Sequence, residues 1–214
     1  MSNGFPVTLF DFVVIVVAVV GLVRGRRRGM SQEFLDLVAW LGFVFAGAYV
    51  CRSYGKEVAR LSTLSLMWSN IIAYLATGCV ILFIIYMIKT ALRDRIAQCD
   101  FFGSMEYPLG MMSGIIRFLC ILVVVISVIH APLITEHERA KTAKLQSDAF
   151  GNISFPTLGE IQQTIFADSF AGKHLGAYLD YVLIPKAAEG EAVTTPRATE
   201  AQQKENLINQ IIGK

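Results

Sequence analysis

The 214 residues are 54% hydrophobic and only 17% charged, with a mean hydropathy of +0.54, a balance too apolar for an ordinary soluble domain. A net charge of +2 argues against nucleic acid as a main partner, which would favour a broad basic face. Of the 36 Asp, Glu, Lys and Arg residues, 18 lie in residues 1–132 and 18 in the 82 residues after them, so the apolar character is concentrated at the front.

Four apolar runs follow one another there: Phe5–Val23, Phe34–Val50, Leu66–Ile88 and Leu109–Ile129. Each is about 17 to 23 residues long, enough for a helix rising about 1.5 Å per residue to cross a hydrocarbon core of about 30 Å. The first run has no Lys or Arg before it and ends in Arg24-Gly25-Arg26-Arg27-Arg28-Gly29. A signal peptide has its basic segment before the apolar core, so this reads as an anchor whose basic end stays in the cytoplasm. Four crossings then place residues 24–33 and 89–108 inside, with 51–65 and both termini outside. Seven basic residues (Arg24, Arg26, Arg27, Arg28, Lys89, Arg93, Arg95) fall inside, and six (Arg52, Lys56, Arg60, Arg139, Lys141, Lys144) outside.

The third run carries Trp68 and Tyr86 near its ends, at the level amphipathic rings favour. The fourth contains Arg117. It spans either Leu109–Ile129 with Arg117 inside or Phe118–Ile134 with Arg117 at the cytoplasmic edge; Pro132 sits late in the second version and tends to end a helix rather than let it run through, which favours the first. Small residues recur every fourth position at Gly21/Gly25/Gly29, Gly42/Ala46, Ser69/Ala73/Thr77 and Gly110/Gly114, a spacing that lets helix backbones pack closely in lipid.

Beyond the runs, Leu158, Ile161 and Ile165 begin an apolar stripe, and Leu175, Tyr178, Leu179, Val182 and Leu183 fall on one face of a helix over His174–Ile184 that Pro185 ends. Such short amphipathic pieces lie on the membrane or pack on the bundle mouth. Residues 187–206 are rich in Ala, Glu, Thr, Gln and Lys, a composition of disorder, and Leu207–Ile212 add a weak terminal turn. The fold class is therefore an all-α membrane protein: four transmembrane helices in residues 1–132, an amphipathic tail in 133–186 and a disordered end in 187–214.

Little of this announces chemistry. Cys51, Cys79, Cys99 and Cys120 have no metal-like or disulfide-like spacing and act as small hydrophobes. Glu136-His137-Glu138 reads as a solvated linker, and Asn152-Ile153-Ser154 has a sequon form frequent by chance. No phosphate-binding loop, nucleophile elbow or zinc-protease pattern occurs, so no enzyme activity, cofactor or metal is expected. The informative residues are charges near lipid, which need partners or water. Asp11 lies 13 positions before Arg24, about 20 Å along a helix, either as a carboxylate at the outer interface or as a polar contact or ion site. Glu33 and Asp36 fall in the first turns of helix two, where carboxylates complement the helix dipole and cap free N–H groups. Arg117 either snorkels to the interface or pairs with Glu33 or Asp36 and ties the two helical hairpins together.

An Asp early in helix one, Gly-rich basic residues, and then Arg28-Gly29-Met30-Ser31-Gln32-Glu33 entering helix two resemble the bacterial colicin V production protein family. A second pattern of that family, Asp-Arg-x-x-Gly-x-x-x-Gly-x-x-Arg-Gly, is matched at Gly110, Gly114 and Arg117. Glu106-Tyr107 stand in place of its Asp-Arg pair and Phe118 in place of its last Gly. The resemblance covers about residues 5–130. It implies a four-helix inner-membrane protein needed for production of a secreted peptide toxin, with a wider envelope role. Its partners would be the lipid bilayer, other inner-membrane or export proteins, and a second copy of the chain. Some relatives carry an exported C-terminal protease domain; this tail is too short for one.

Three function classes stand at this point: a non-enzymatic accessory to toxin production or export, a small transporter or channel with Asp11 or Arg117 lining a polar path, and an envelope scaffold or regulatory subunit working through the tail and the small-residue faces.

Overall fold

The computed structural model describes residues 8–62, 64–92, 103–134, 140–142, 144–146 and 156–187. Four long helices form the body: α1 (Leu9–Arg28), α2 (Met30–Ser62), α3 (Leu66–Ala91) and α4 (Glu106–His130). The tail contributes α5 (Leu158–Gln163), which runs into a wide π turn (Thr164–Asp168), and α6 (Phe170–Tyr178); residues 140–142 and 144–146 are helical as well. Among the described residues, α2, α3 and the segment ending in α4 are long and apolar enough to cross a membrane.

The first run begins outside the described residues. Within α1, Asp11 and Arg24 leave only the apolar stretch 12–23 between them, about 18 Å of helix, short of a hydrocarbon core. That stretch nevertheless runs beside α4, since Phe10 packs near Ile126 and Gly25 meets Gly110.

The α1–α4 pair is antiparallel and packed backbone to backbone. A Cβ on Gly21 would come within 2.7 Å of the Gly114 carbonyl, and one on Gly110 within 2.7 Å of the Gly25 carbonyl. The glycine ladder is thus the contact surface itself, as close approach in lipid requires. In the second pair, α2 and α3, the interlock differs: Gly47 receives the Tyr74 ring, Gly78 the Phe43 ring and Gly55 the Asn70 side chain. Ring into glycine replaces backbone on backbone. Phe43 also stacks on Trp40 at 5.6 Å. The expected Gly42/Ala46 ladder contributes less, because Gly42 meets only a methyl of Ile81 at 3.3 Å.

Several boundaries differ from the expectation. Helix α2 does not stop at Val50 but continues to Ser62, so residues 51–62 are helix rather than loop. Arg60 pairs with Glu57 at 2.7 Å on that extension. The fourth helix takes the version with Arg117 inside, and Pro132 follows its end.

The tail packs on the mouth of the bundle. Val182 and Ile184 join the core around Cys51, Met67 and Ala131, and Leu183 joins Phe10, Ile126 and Ile165. Burying these apolar side chains stabilises the docked tail by about 1.5–3 kcal/mol each at most. They reach the core through a turn after Tyr178, not along one helical face. Tyr178, expected on the buried stripe, is exposed, as is Leu158.

Ala187 falls in the segment whose composition predicts disorder, yet it is buried. It pairs with the end of α4: its N–H donates to the Ala131 carbonyl at 3.1 Å, and its carbonyl accepts from Leu133 at 3.0 Å. Gln162 donates to the carbonyls of Ile129 (2.6 Å) and Pro132 (2.9 Å). The C-terminal carbonyls of α4 thereby find partners that a helix end otherwise lacks. The rest of 187–214, with Leu207–Ile212, and also Cys99, Arg93, Arg95, residues 136–138 and 152–154, lie outside the described residues.

Candidate functional site

At the arginine-rich end, five charged side chains from all four long helices converge. Arg117 of α4 donates to Glu33 Oε2 and, at 3.1 Å, to Asp36 Oδ2, both on α2. Arg28, the last residue of α1, stands 3.3 Å from Asp36 and 3.5 Å from Glu33 Oε1. Lys89, near the end of α3, donates to Asp36 Oδ1 at 2.8 Å. Glu33 is only 1% exposed and Arg117 8%.

The geometry follows from helix direction. Side chains on a helix lean toward its N-terminus, so Arg117, three turns into α4, reaches back to the level where α2 begins. It reaches the charged end of the bundle but finds carboxylates there instead of headgroups. Three cations surround two carboxylates, leaving one net positive charge. An unpaired charge buried here would be strongly unfavourable, so each member holds the others in place. Arg117 Nε and Glu33 Oε1 make no hydrogen bond among the described residues, although Oε1 keeps its ion-pair contact with Arg28.

The expected cap of α2 is a different residue. Glu33 turns toward Arg117, and the carboxylate that caps α2 comes from α4: Glu106 accepts from the Ser31 N–H at 2.6 Å and from the Ser31 hydroxyl at 2.9 Å. The α1–α2 junction is Gly29 alone, with φ of 75° and ψ of 166°. A side chain there would be strained, and its Cβ would sit 2.7 Å from Glu106 Oε1. The signal nearest to Glu106 is the glycine ladder: with Gly25 set against Gly110, Gly29 faces Glu106, but only the folded bundle supplies that register. Nothing local marks Lys89 apart from any basic residue at a helix end.

Asp11 lies at the opposite end. It accepts from the Thr8 N–H at 3.0 Å in its own first turn, from the Ser169 hydroxyl at 3.0 Å, and from the Ala171 N–H at 2.9 Å. One carboxylate therefore caps α1 and the start of α6 together, which makes it a polar contact between the bundle and the tail. Nearby, Arg52 donates to the Asp180 carbonyl and stands 3.9 Å from the Asp180 carboxylate, while His130 Nδ1 lies 3.1 Å from the Ile184 carbonyl. The described residues bring no three His, Cys, Asp or Glu side chains together as a metal site. The arrangement supports electrostatic clamping of helices, with Asp11 and the Arg117 network at the two ends.

Comparison with known proteins supplies the rest. No curated protein and no solved structure matches the chain. The family described as colicin V production protein matches residues 10–152, which takes in Asp11, Arg28, Gly29, Glu33, Asp36, Gly110, Gly114 and Arg117. With long apolar helices exposed on their outer faces and a match over most of its length, this chain is a membrane protein of the colicin V production family.

Proposed function

We propose that this protein is a four-crossing inner-membrane protein with both termini outside, and that it acts, without catalysing a reaction itself, as an accessory in the production or export of a colicin V-type peptide toxin, with a wider role in the envelope. The observation that carries the reading is the coincidence of the family match with the Arg117 network. The five charges of that network, all inside the matched segment, are engaged with one another, which suits a structural membrane unit.

Two features support four crossings. α1 lies along α4 from Phe10 to Gly29, which supports a crossing by α1 beside that of α4. The tail docks at the end of the bundle opposite the arginine cluster, so an arginine-rich side in the cytoplasm puts the tail outside. Arg52, which counts against this topology by charge alone, is engaged by the tail.

The test is deletion of the gene in a toxin-secreting host, complemented with the wild-type chain. Toxin output or survival of envelope stress should fall on deletion and return on complementation. A deletion strain indistinguishable from its parent in both respects would refute the proposal. So would purified protein that by itself turns over a substrate or carries a solute across liposomes.

A further inference from the structure

Arg28 is engaged in the ion-pair network, but Arg26 and Arg27 beside it have no carboxylate partner among the described residues. They form one wall of an open cleft of about 540 Å³ between α1 and α4, together with Leu22, Val23 and Tyr107. The glycine contact explains why the cleft exists. With Gly25 against Gly110, the helices touch by backbone alone, so the side chains on either side of the seam stand as walls around a groove. Tyr107 enters from α4 and is 61% exposed.

The lining is ordered along the helix axis. Leu22 and Val23 sit one turn toward the apolar stretch, and Arg26 and Arg27 one turn toward the end. An acyl chain laid along the former would place a phosphate on the latter, with the Tyr107 hydroxyl as a further donor. Guanidinium groups bind phosphate through paired N–H donors. Basic pockets at the ends of membrane helices suit anionic headgroups.

We infer that this cleft binds an anionic phospholipid of the surrounding bilayer, with its phosphate on Arg26 and Arg27 and a chain against Leu22 and Val23. The inference rests on the protein lying in a membrane and not on its role in toxin production.

The test is native mass spectrometry of the full chain in detergent, titrated with phosphatidylglycerol or phosphatidylcholine. The wild-type protein should retain phosphatidylglycerol in preference. An Arg26→Gln/Arg27→Gln variant should bind it roughly 10- to 30-fold more weakly, as loss of two basic contacts at a charged surface implies. Arg24→Gln, which removes the same charge from the same helix outside the cleft, should change binding less than about twofold. Tyr107→Ala should weaken binding with no change in charge, which attraction to a basic helix in general would not produce.

Equal retention of the two lipids would overturn the site, as would unchanged binding in the double variant or an Arg24→Gln loss as large as the cleft variants show. Displacement of the lipid by millimolar inorganic phosphate would make it a free-phosphate site and overturn the lipid assignment. Unfolding of the variants without added lipid separates weaker binding from a damaged fold.

Discussion

Removing the Arg117 guanidinium tests the central network most directly. In an Arg117→Met variant, Glu33 stays 1% exposed and keeps only Arg28, 3.5 Å away and without a hydrogen bond. Asp36 still has Arg28 at 3.3 Å and Lys89 at 2.8 Å. The damage therefore concentrates on one buried carboxylate, and breaking such a pair from one side costs about 3–5 kcal/mol. Taking away Glu33 as well removes the stranded charge, so Glu33→Met/Arg117→Met should be more stable than Arg117→Met alone. Asp36→Asn, which leaves Arg117 on Glu33 but weakens the contacts of Arg28, Lys89 and Arg117 with a partly exposed carboxylate, should cost less, about 1.5–3 kcal/mol. Charge reversal extends the series: Arg117→Glu should be the most damaging, and Glu33→Arg or Asp36→Arg in the same chain should recover part of the loss. The assay is denaturant unfolding in mixed micelles, with thermal aggregation as a second readout. If Arg117→Met falls within about 0.5 kcal/mol of wild type, the range of an ordinary surface change, or the double variant is no better than the single, the reasoning is wrong.

Four further outcomes follow from the same contacts. Gly25→Leu should destabilise the bundle by at least about 1–3 kcal/mol through overpacking against the Gly110 backbone, while Gly42→Ala, which meets only the Ile81 methyl, should be tolerated; thermal unfolding in detergent separates the two. Asp11→Ala should lose about 1–2 kcal/mol of capping and free the tail, so limited proteolysis should trim residues after 156 faster while the four long helices persist. Reporter fusions after Arg28, Arg60, Arg95 and the C-terminus should read in, out, in and out, and an inward C-terminus would show that one run does not cross. A chain ending at Ala187 should complement a deletion strain, whereas one ending at Pro185 should not hold its tail, because it lacks the Ala187 pairing with Ala131 and Leu133.

The class of this protein is legible in the sequence alone because lipid imposes a length and a composition that no packing detail can hide. The apolar runs, the basic flank after Val23 and the glycine ladders are all local signals; the helices follow from them, and the ladders say that helices pack closely but not which helix meets which. The pairing of Arg117 with Glu33 and Asp36 is legible too, since so few charges lie at that level that any buried one has a short choice of partners. What tertiary structure alone decided are contacts between segments distant in the chain. Glu106, and neither Glu33 nor Asp36, caps α2, because the glycine register brings the start of α4 against Gly29. Lys89 joins the network because α3 returns antiparallel along α2. Ala187, Val182 and Ile184 are buried within a stretch whose pattern leaves the membrane surface and the bundle mouth both open and whose end reads as disordered. Periodicity describes one helix at a time, whereas the free energy of the docked tail comes from carbonyls and apolar surface at the bundle mouth, which exist only once four helices have assembled.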